Sequence, residues 1–124
     1  MLKKLIHILY FKPVRLGEKS FSSQGLVAFY HKKTWGAICD QQWDKQDADV
    51  VCRELGFRNA TIVYSSPANK VDTMWINNLQ CHGNETSLVS CVHNEWENQS
   101  CTNGRQAGVV CEVPEGNCIS LSLL

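Results

Sequence analysis

Residues 35–56 read WGAICDQQWDKQDADVVCRELG, and this stretch decides the fold because it joins a strand to a buried helix. Asp44 predicts the N-cap of the helix, and Asp47 three residues later comes close to completing a capping box. Gly56 predicts the end of the helix, since glycine readily takes the left-handed backbone that follows a last helical turn. Apolar side chains at i, i+3, i+4 and i+7 predict one buried helix face, formed by Ala48, Val51, Cys52 and Leu55.

The cysteines indicate the compartment in which the protein works. The chain contains seven of them, and no two form a Cys-x-x-Cys pair, so zinc-ribbon and thioredoxin-type sites are poorly supported. Dense cysteines without metal spacing are typical of disulfides and of an oxidising environment. Three Asn-x-Ser/Thr glycosylation sequons also favour an extracellular protein, and they begin at Asn59, Asn84 and Asn98.

Length and charge narrow the class of protein further. The 124 residues predict one domain with a modest core that benefits from covalent staples. The formal net charge is zero, so no overall field favours nucleic acid or a membrane surface. The charges are unevenly spread, because residues 1–33 carry seven Lys or Arg against one acid (+6) and residues 34–124 carry five against eleven (−6). We interpret the basic end as solvated surface, with a polyanion patch as the alternative.

The two ends of the chain fall outside the predicted domain of residues 13–113. Residues 1–12 contain Lys3, Lys4 and an apolar run that is too short to span a bilayer and lacks a small-x-small cleavage site. We interpret them as an atypical leader or as the end of a fragment. Residues 114–124 form a C-terminal tail that is too short for an anchor, so no membrane insertion by this fragment is expected.

Strand-forming residues alternate with turn signals through the rest of the domain. A hairpin turn is expected at residues 31–33, and a loop containing Pro67 is expected over residues 65–72. One helical turn is expected at Ser87 and Leu88. Strands are predicted over residues 14–16, 26–30, 34–39, 60–64, 74–79 and 107–112.

The order of these motifs resembles the scavenger receptor cysteine-rich (SRCR) domain over about residues 14–112. The matching motifs are WGxICD at 35–40, WD at 43–44, DAxVVCRxLGF at 47–57, CxGNExSL at 81–88, Trp96 and AGVxC at 107–111. The resemblance implies an α+β fold, in which a curved, mostly antiparallel sheet cradles one α-helix and is stapled by disulfides. The two extra cysteines of group B would fall at Ser23 and Phe57, so the chain is similar to group A.

The resemblance also implies how the six domain cysteines pair. From spacing alone, six cysteines permit fifteen connectivities. The pattern of the family implies the pairs Cys39–Cys101, Cys52–Cys111 and Cys81–Cys91. Cys118 is left over in the tail, either as an unpaired thiol or as the partner of another chain or of a missing segment.

A cation site is the second implication of the resemblance. Several SRCR domains bind Ca²⁺ or Mg²⁺ through an Asp-Asp pair after the first cysteine and through the Glu of Cys-x-Gly-x-Glu. Asp40 and Glu85 match this pattern, but Gln41 replaces the second Asp. Residues 102–106 contain no acid and introduce Arg105 instead. We therefore expect no certain cofactor and at most weak Ca²⁺ or Mg²⁺ binding, with ordinary surface or capping carboxylates as the alternative.

The function implied is that of a ligand-binding module of a secreted or cell-surface scavenger-receptor-type protein of innate immunity, which forms part of a larger multidomain protein. Its expected partners are extracellular proteins or polyanions, and Lys32, Lys33 and Arg105 are candidates for contacting them. The four tryptophans could form a stacking surface for sugars, but core positions are the preferred interpretation.

No enzymatic activity is expected of this chain. None of the four histidines lies in a nucleophile or metal motif, and no Gly-x-Ser-x-Gly, His-Glu-x-x-His or phosphate loop is present. The alternative function is a non-catalytic accessory domain of a larger extracellular enzyme of the serine protease or lysyl oxidase type. An intracellular metal or redox protein conflicts with the sequons and with the cysteine spacing.

Overall fold

The computed structural model describes residues 12–17, 22–68, 73–76, 78–93, 95, 97–98, 101 and 104–114, and only the backbone of residues 76, 97 and 98. The predicted leader, Trp96 and the tail with Cys118 lie outside the described residues, apart from Lys12 and Pro114. The strands are β1 Val14–Leu16, β2 Gln24–His31, β3 Thr34–Ile38, β4 Ala60–Pro67, β5 Met74–Ile76, β6 Glu97–Asn98 and β7 Arg105–Cys111. The helices are α1 Lys45–Glu54 and a short 3-10 helix Leu88–Ser90.

All seven strands belong to one sheet. Its order is β4-β7-β2-β3-β5-β6, and β1 pairs with β2 off this path. Every pair of neighbouring strands is antiparallel except β3 and β5, which run parallel. Parallel neighbours need a crossover connection, and here α1 and β4 lie in that connection. The predicted α+β fold with a mostly antiparallel sheet and one α-helix is confirmed.

The β2–β3 hairpin turns through two lysines. Lys32 and Lys33 have φ values of 48° and 64°, and His31 pairs with Thr34 across them. Positive φ at both central residues is the type I′ geometry that suits the twist of a two-residue hairpin. Asn and Gly usually occupy such positions, so the turn holds two lysines where Asn or Gly would have less backbone strain.

Helix α1 begins and ends as its sequence predicts. The side chain of Asp44 accepts the N–H of Asp47, and the side chain of Asp47 accepts the N–H of Asp44, which completes the capping box. Gly56 follows the helix with a φ of 90°. The predicted apolar face is buried, although Leu55 is only partly covered and Val50 is also fully buried. This face packs into one core with the inner side of the sheet, including Phe29, Ile38, Trp75 and Val109.

Two local predictions were wrong, and one short strand was missed. The predicted loop at residues 65–72 begins with the end of β4, because Ser65, Ser66 and Pro67 pair with the start of β7. Pro67 has no N–H to donate and is tolerated because β4 is an edge strand. The predicted strand over 74–79 ends at Ile76, and Asn78 takes a φ of 50°. The two-residue strand β6 was not predicted.

Three disulfides hold the domain: Cys39–Cys101, Cys52–Cys111 and Cys81–Cys91. These are the pairs that the resemblance implies. Their Cα atoms lie 5.7, 5.6 and 4.8 Å apart, within the usual range. The first two join residues 62 and 59 positions apart. In the chain-entropy model, each of these two bridges stabilises the fold by about 4 kcal/mol.

Gly108 is fixed by close packing. A Cβ at this position would lie 2.5 Å from Cζ of the Tyr64 ring on β4. The carbonyl of Gly108 also accepts the indole N–H of Trp43 at 3.2 Å, which connects β7 to the segment before α1. A side chain at Gly108 would therefore displace the ring of Tyr64.

We expect Gly108→Ala to lower the free energy of unfolding by about 1–3 kcal/mol, because overpacking forces neighbours from their positions. Thermal and urea unfolding of secreted, oxidised protein would measure the loss. The double variant Gly108→Ala/Tyr64→Ala should lose less than the sum of the two single variants, because the clashing ring is gone. Strict additivity in this cycle would contradict the proposed clash.

Candidate binding surfaces

Three carboxylates on α1 accept backbone N–H groups of two other segments. Asp47 Oδ1 accepts the N–H of Cys81 at 2.9 Å. Asp49 Oδ1 accepts the N–H of Ala60 at 2.8 Å. Glu54 Oε1 accepts the N–H of Leu88 at 2.7 Å. The helix therefore positions the start of β4 and both ends of the segment between Cys81 and the 3-10 helix.

The Cys81–Glu85 turn, defined as residues 81–85, is held by its own carboxylate and by Arg53. Glu85 accepts the N–H groups of His82 and Gly83, both at 2.9 Å. The hydrogen bond from the N–H of His82 is the largest cause that lowers the pKa of Glu85. Arg53 on α1 donates to the carbonyl oxygens of Gly83 and Glu85. Glu85 thus closes this turn.

Asp40 lies directly after Cys39, which is bridged to Cys101. Its N–H donates to the carbonyl of Arg105 at 3.1 Å, and its carbonyl accepts the N–H of Trp43 at 2.9 Å. Its carboxylate lies within 4.8 Å of the sulfur atoms of Cys39 and Cys101. The Asp40 side chain is half-buried, because the residue follows directly on the bridged end of β3.

The two predicted cation ligands fall in different groups of ligand atoms. Ligand atoms of Asp40 group with Cys39 and Cys101, whereas those of Glu85 group with Cys81 and Cys91. Within the described part of the chain, no group of ligand atoms contains both carboxylates. All four sulfur atoms are in disulfides and are therefore poor ligands. A shared Ca²⁺ or Mg²⁺ site at Asp40 and Glu85 stays a prediction.

The predicted ligand-binding cations are also separated. Lys32 and Lys33 are exposed at the tip of the β2–β3 hairpin. Arg105 lies beside Asp40 at the other end of β3, and it donates to the hydroxyl and the carbonyl of Ser65, both at 2.9 Å. Five residues of extended strand separate the two places by roughly 17 Å. Arg105 thus ties β7 to β4, and the lysines project into solvent.

Sequence reasoning missed Arg15. The neighbours of Arg15 in β1, Val14 and Leu16, are each only 1% exposed, so Arg15 points to the other face of the sheet. Its guanidinium carbon lies 4.1 Å from the ring centroid of Trp35. The alternation of the short strand around Arg15 was the signal that could have located it.

The tryptophans serve different purposes. Trp75 is 4% exposed and donates its indole N–H to the carbonyl of Phe29 at 3.1 Å, so it is a core residue. Trp43 packs at the edge of the same core. Trp35 is half-buried on the opposite face, beneath Arg15 and 5.3 Å from Tyr30 between ring centroids. Only Trp35, of the three described tryptophans, is on a surface with a neighbouring unpaired cation.

Two of the three predicted glycosylation sites have described side chains, and both are exposed. Asn59 Oδ1 accepts a hydrogen bond from Arg53 at 3.2 Å. Asn84 lies within the Cys81–Glu85 turn. For Asn98 only the backbone in β6 is described. Glycosylation of these three residues stays a prediction.

The scavenger receptor cysteine-rich domain model matches residues 17–112, most of the chain. The chain belongs to the SRCR family. The SRCR domain of mouse MARCO in its dimeric form has a TM-score of 0.63 and 38% identity, with 72% of this chain and 86% of that chain covered. The predicted family is therefore confirmed by sequence and by fold.

Curated relatives place similar domains in proteins of different kinds. The Macrophage scavenger receptor types I and II of Mus musculus is 36% identical over 81% of this chain and 22% of its own length. Lysyl oxidase homolog 2 of Homo sapiens is 38% identical over 82% of this chain and 13% of its own length. The SRCR chain thus spans a small part of these relatives. Among its described residues, no helix has the length and apolar character needed to cross a membrane.

Asp47 makes the stability of this SRCR domain depend on pH. The side chain is fully buried, and burial raises the pKa of Asp47 to about 7, with the N–H of Cys81 opposing the rise and the charge of Asp44 adding to it. The folded protein therefore binds a proton that the unfolded chain releases near pH 3.8. This contribution to stability is present at low pH and is lost as pH rises through about 7.

We expect the free energy of unfolding to fall between pH 5 and 7 by up to about 1.4 kcal/mol per pH unit from this one group. Urea unfolding at several pH values would measure the slope, and Asp47→Asn should flatten it. Histidines contribute equally to both proteins, and the lowered pKa of Glu85 acts below this range. Equal slopes in the two proteins would contradict the assignment to Asp47.

Proposed function

We propose that this SRCR domain is an extracellular, non-catalytic binding module that recognises anionic surfaces through the tip of its β2–β3 hairpin. The observation that carries the proposal is the placement of Lys32 and Lys33. Both side chains are exposed, and neither ammonium group has an ion-pair partner among the described residues. The turn holds both lysines in left-handed backbone conformations, which Asn or Gly would adopt with less strain.

The charge distribution of the rest of the domain supports binding through the hairpin tip. Acidic side chains on α1 bind backbone N–H groups and lie on the helix side of the sheet. The hairpin tip extends away from them, at the far end of β3 from Asp40. An anionic partner would therefore meet the two lysines before it meets the acidic side, and the attraction should weaken as salt screens it.

The location and the context are also proposals. Three disulfides and the exposed sequons at Asn59 and Asn84 support a secreted or cell-surface protein. The small share of each relative that the chain covers supports a larger multidomain parent. In this proposal the two lysines contact the anion directly, without a bound cation between them.

The second candidate function is a non-catalytic accessory domain of a larger extracellular enzyme. The match to lysyl oxidase homolog 2 favours it, because that relative carries a similar domain within a protein named for an enzyme. In such a parent the same hairpin would position the enzyme on an anionic surface. The chemistry would belong to another part of the parent protein.

Binding to immobilised dextran sulfate, as a model polyanion, would test the proposal. We expect Lys32→Gln/Lys33→Gln to weaken binding roughly tenfold at about 0.05 M salt, with the difference shrinking at higher salt. The matched control Lys45→Gln/Arg58→Gln removes two cations from the helix side and should have a small effect. A chelator should change little.

Two results would contradict the proposed function. Equal weakening in the two double variants would show that only net charge matters. Complete loss of binding on chelation would show that a cation site, and not the hairpin, holds the polyanion.

A further inference from the structure

A groove crosses the outer face of the sheet, which is the face opposite α1. Arg15, Ala28 and Ala37 are register partners on β1, β2 and β3, so their side chains share this face. The groove has a volume of about 340 Å³. Its other lining residues include Leu26, Trp35 and Gln106. The small side chains of the two alanines leave the space that larger residues would fill.

Arg15 is the one charged residue among the described residues that line this groove. Its guanidinium group stacks on Trp35, and Trp35 in turn packs against Tyr30. Stacking of this kind holds the planar group in place and leaves its edge for hydrogen bonding. The arginine is thus preorganised beside an open space.

Arg15 has no hydrogen-bond or ion-pair partner among the described residues, and its Nε atom is buried without an acceptor. A partly buried cation that lacks a counter-ion is costly, and arginine offers five N–H donors in a fork that fits a carboxylate. The other described lining residues are apolar or neutral, so this part of the groove has one cation and not a row of them. Dense polyanions are attracted by several spaced cations, whereas one cation among apolar groups suits one carboxylate on an apolar body.

We propose that this groove binds a single carboxylate carried next to an apolar group, as in an acidic residue of a partner peptide flanked by apolar side chains. The carboxylate would accept a forked pair of hydrogen bonds from Arg15, and the apolar part would lie on Ala28, Ala37 and Leu26. The proposal rests on the proposed function as a binding module, and it adds a second surface that recognises a different chemistry from the hairpin tip.

Benzoate is the probe that tests this chemistry, and benzamide is its neutral counterpart of the same shape. We would titrate each into the whole, oxidised, ¹⁵N-labelled chain and follow the indole N–H of Trp35 and the amides of Ala28 and Ala37 by NMR. Benzoate should shift these signals saturably, and benzamide should not. Arg15→Gln should raise the Kd of benzoate at least about tenfold. Arg58→Gln, which removes an exposed cation outside the groove, should leave it within about twofold.

If Arg15→Gln fails to fold, Arg15→Lys replaces it as the test variant. Lysine keeps the positive charge but lacks the forked pair of N–H donors, so Arg15→Lys should also weaken benzoate binding. The proposal is overturned if benzoate causes no saturable shift, if benzamide acts equally, or if the folded Arg15 variant binds benzoate as the wild type does. It is also overturned if Arg15→Gln lowers dextran sulfate binding as much as Lys32→Gln/Lys33→Gln, because the groove would then belong to the polyanion surface. Failure of dextran sulfate to bind the wild type would refute the proposed function and leave the benzoate result standing.

Discussion

Hydrogen bonds from backbone N–H groups to carboxylates on one helix determine how the irregular half of this domain is arranged. The sheet supplies its own backbone partners, whereas the start of β4 and the segment after β5 also use side-chain acceptors on the helix. Asp47, Asp49 and Glu54 provide acceptors for the N–H groups of Cys81, Ala60 and Leu88, respectively. Such hydrogen bonds are worth about 1 kcal/mol net, and about 1.5–3 kcal/mol where the acceptor is charged, so losing one would be a large fraction of the stability of a small domain.

The disulfides act on the same segments. Cys52 on α1 is bridged to Cys111 on β7, and Cys81 is bridged to Cys91 at the two ends of the segment that Asp47 and Glu54 hold. Covalent bridges limit the unfolded chain, whereas the carboxylates select one arrangement in the folded chain. Both kinds of constraint act on α1 and on the segments around it. The hairpin tip and the outer face of the sheet lie outside these segments.

Features set by residues close together in the sequence could be predicted, whereas contacts between distant residues could not. The capping box of Asp44 and Asp47 and the stop at Gly56 involve neighbours within a few positions, so spacing alone predicts them. The second role of Asp47, as acceptor for Cys81, joins residues 34 positions apart and leaves no periodic trace. Ser65–Pro67 looked like a loop for the same reason, because its strand partner is Arg105–Ala107. The disulfide pairing came from family resemblance, and Arg15 was passed over because a three-residue strand carries little pattern.

Amide hydrogen exchange measures directly whether the three carboxylates hold the amides of Ala60, Cys81 and Leu88. In the native oxidised protein, the amides of Ala60, Cys81 and Leu88 should exchange slowly, near the rates of core strand amides. Asp47→Ala should speed the exchange of Cys81 and leave Leu88 near its wild-type rate, and Glu54→Ala should do the reverse. Exchange of all three amides at the rates of unprotected loop amides in the wild type would contradict the account.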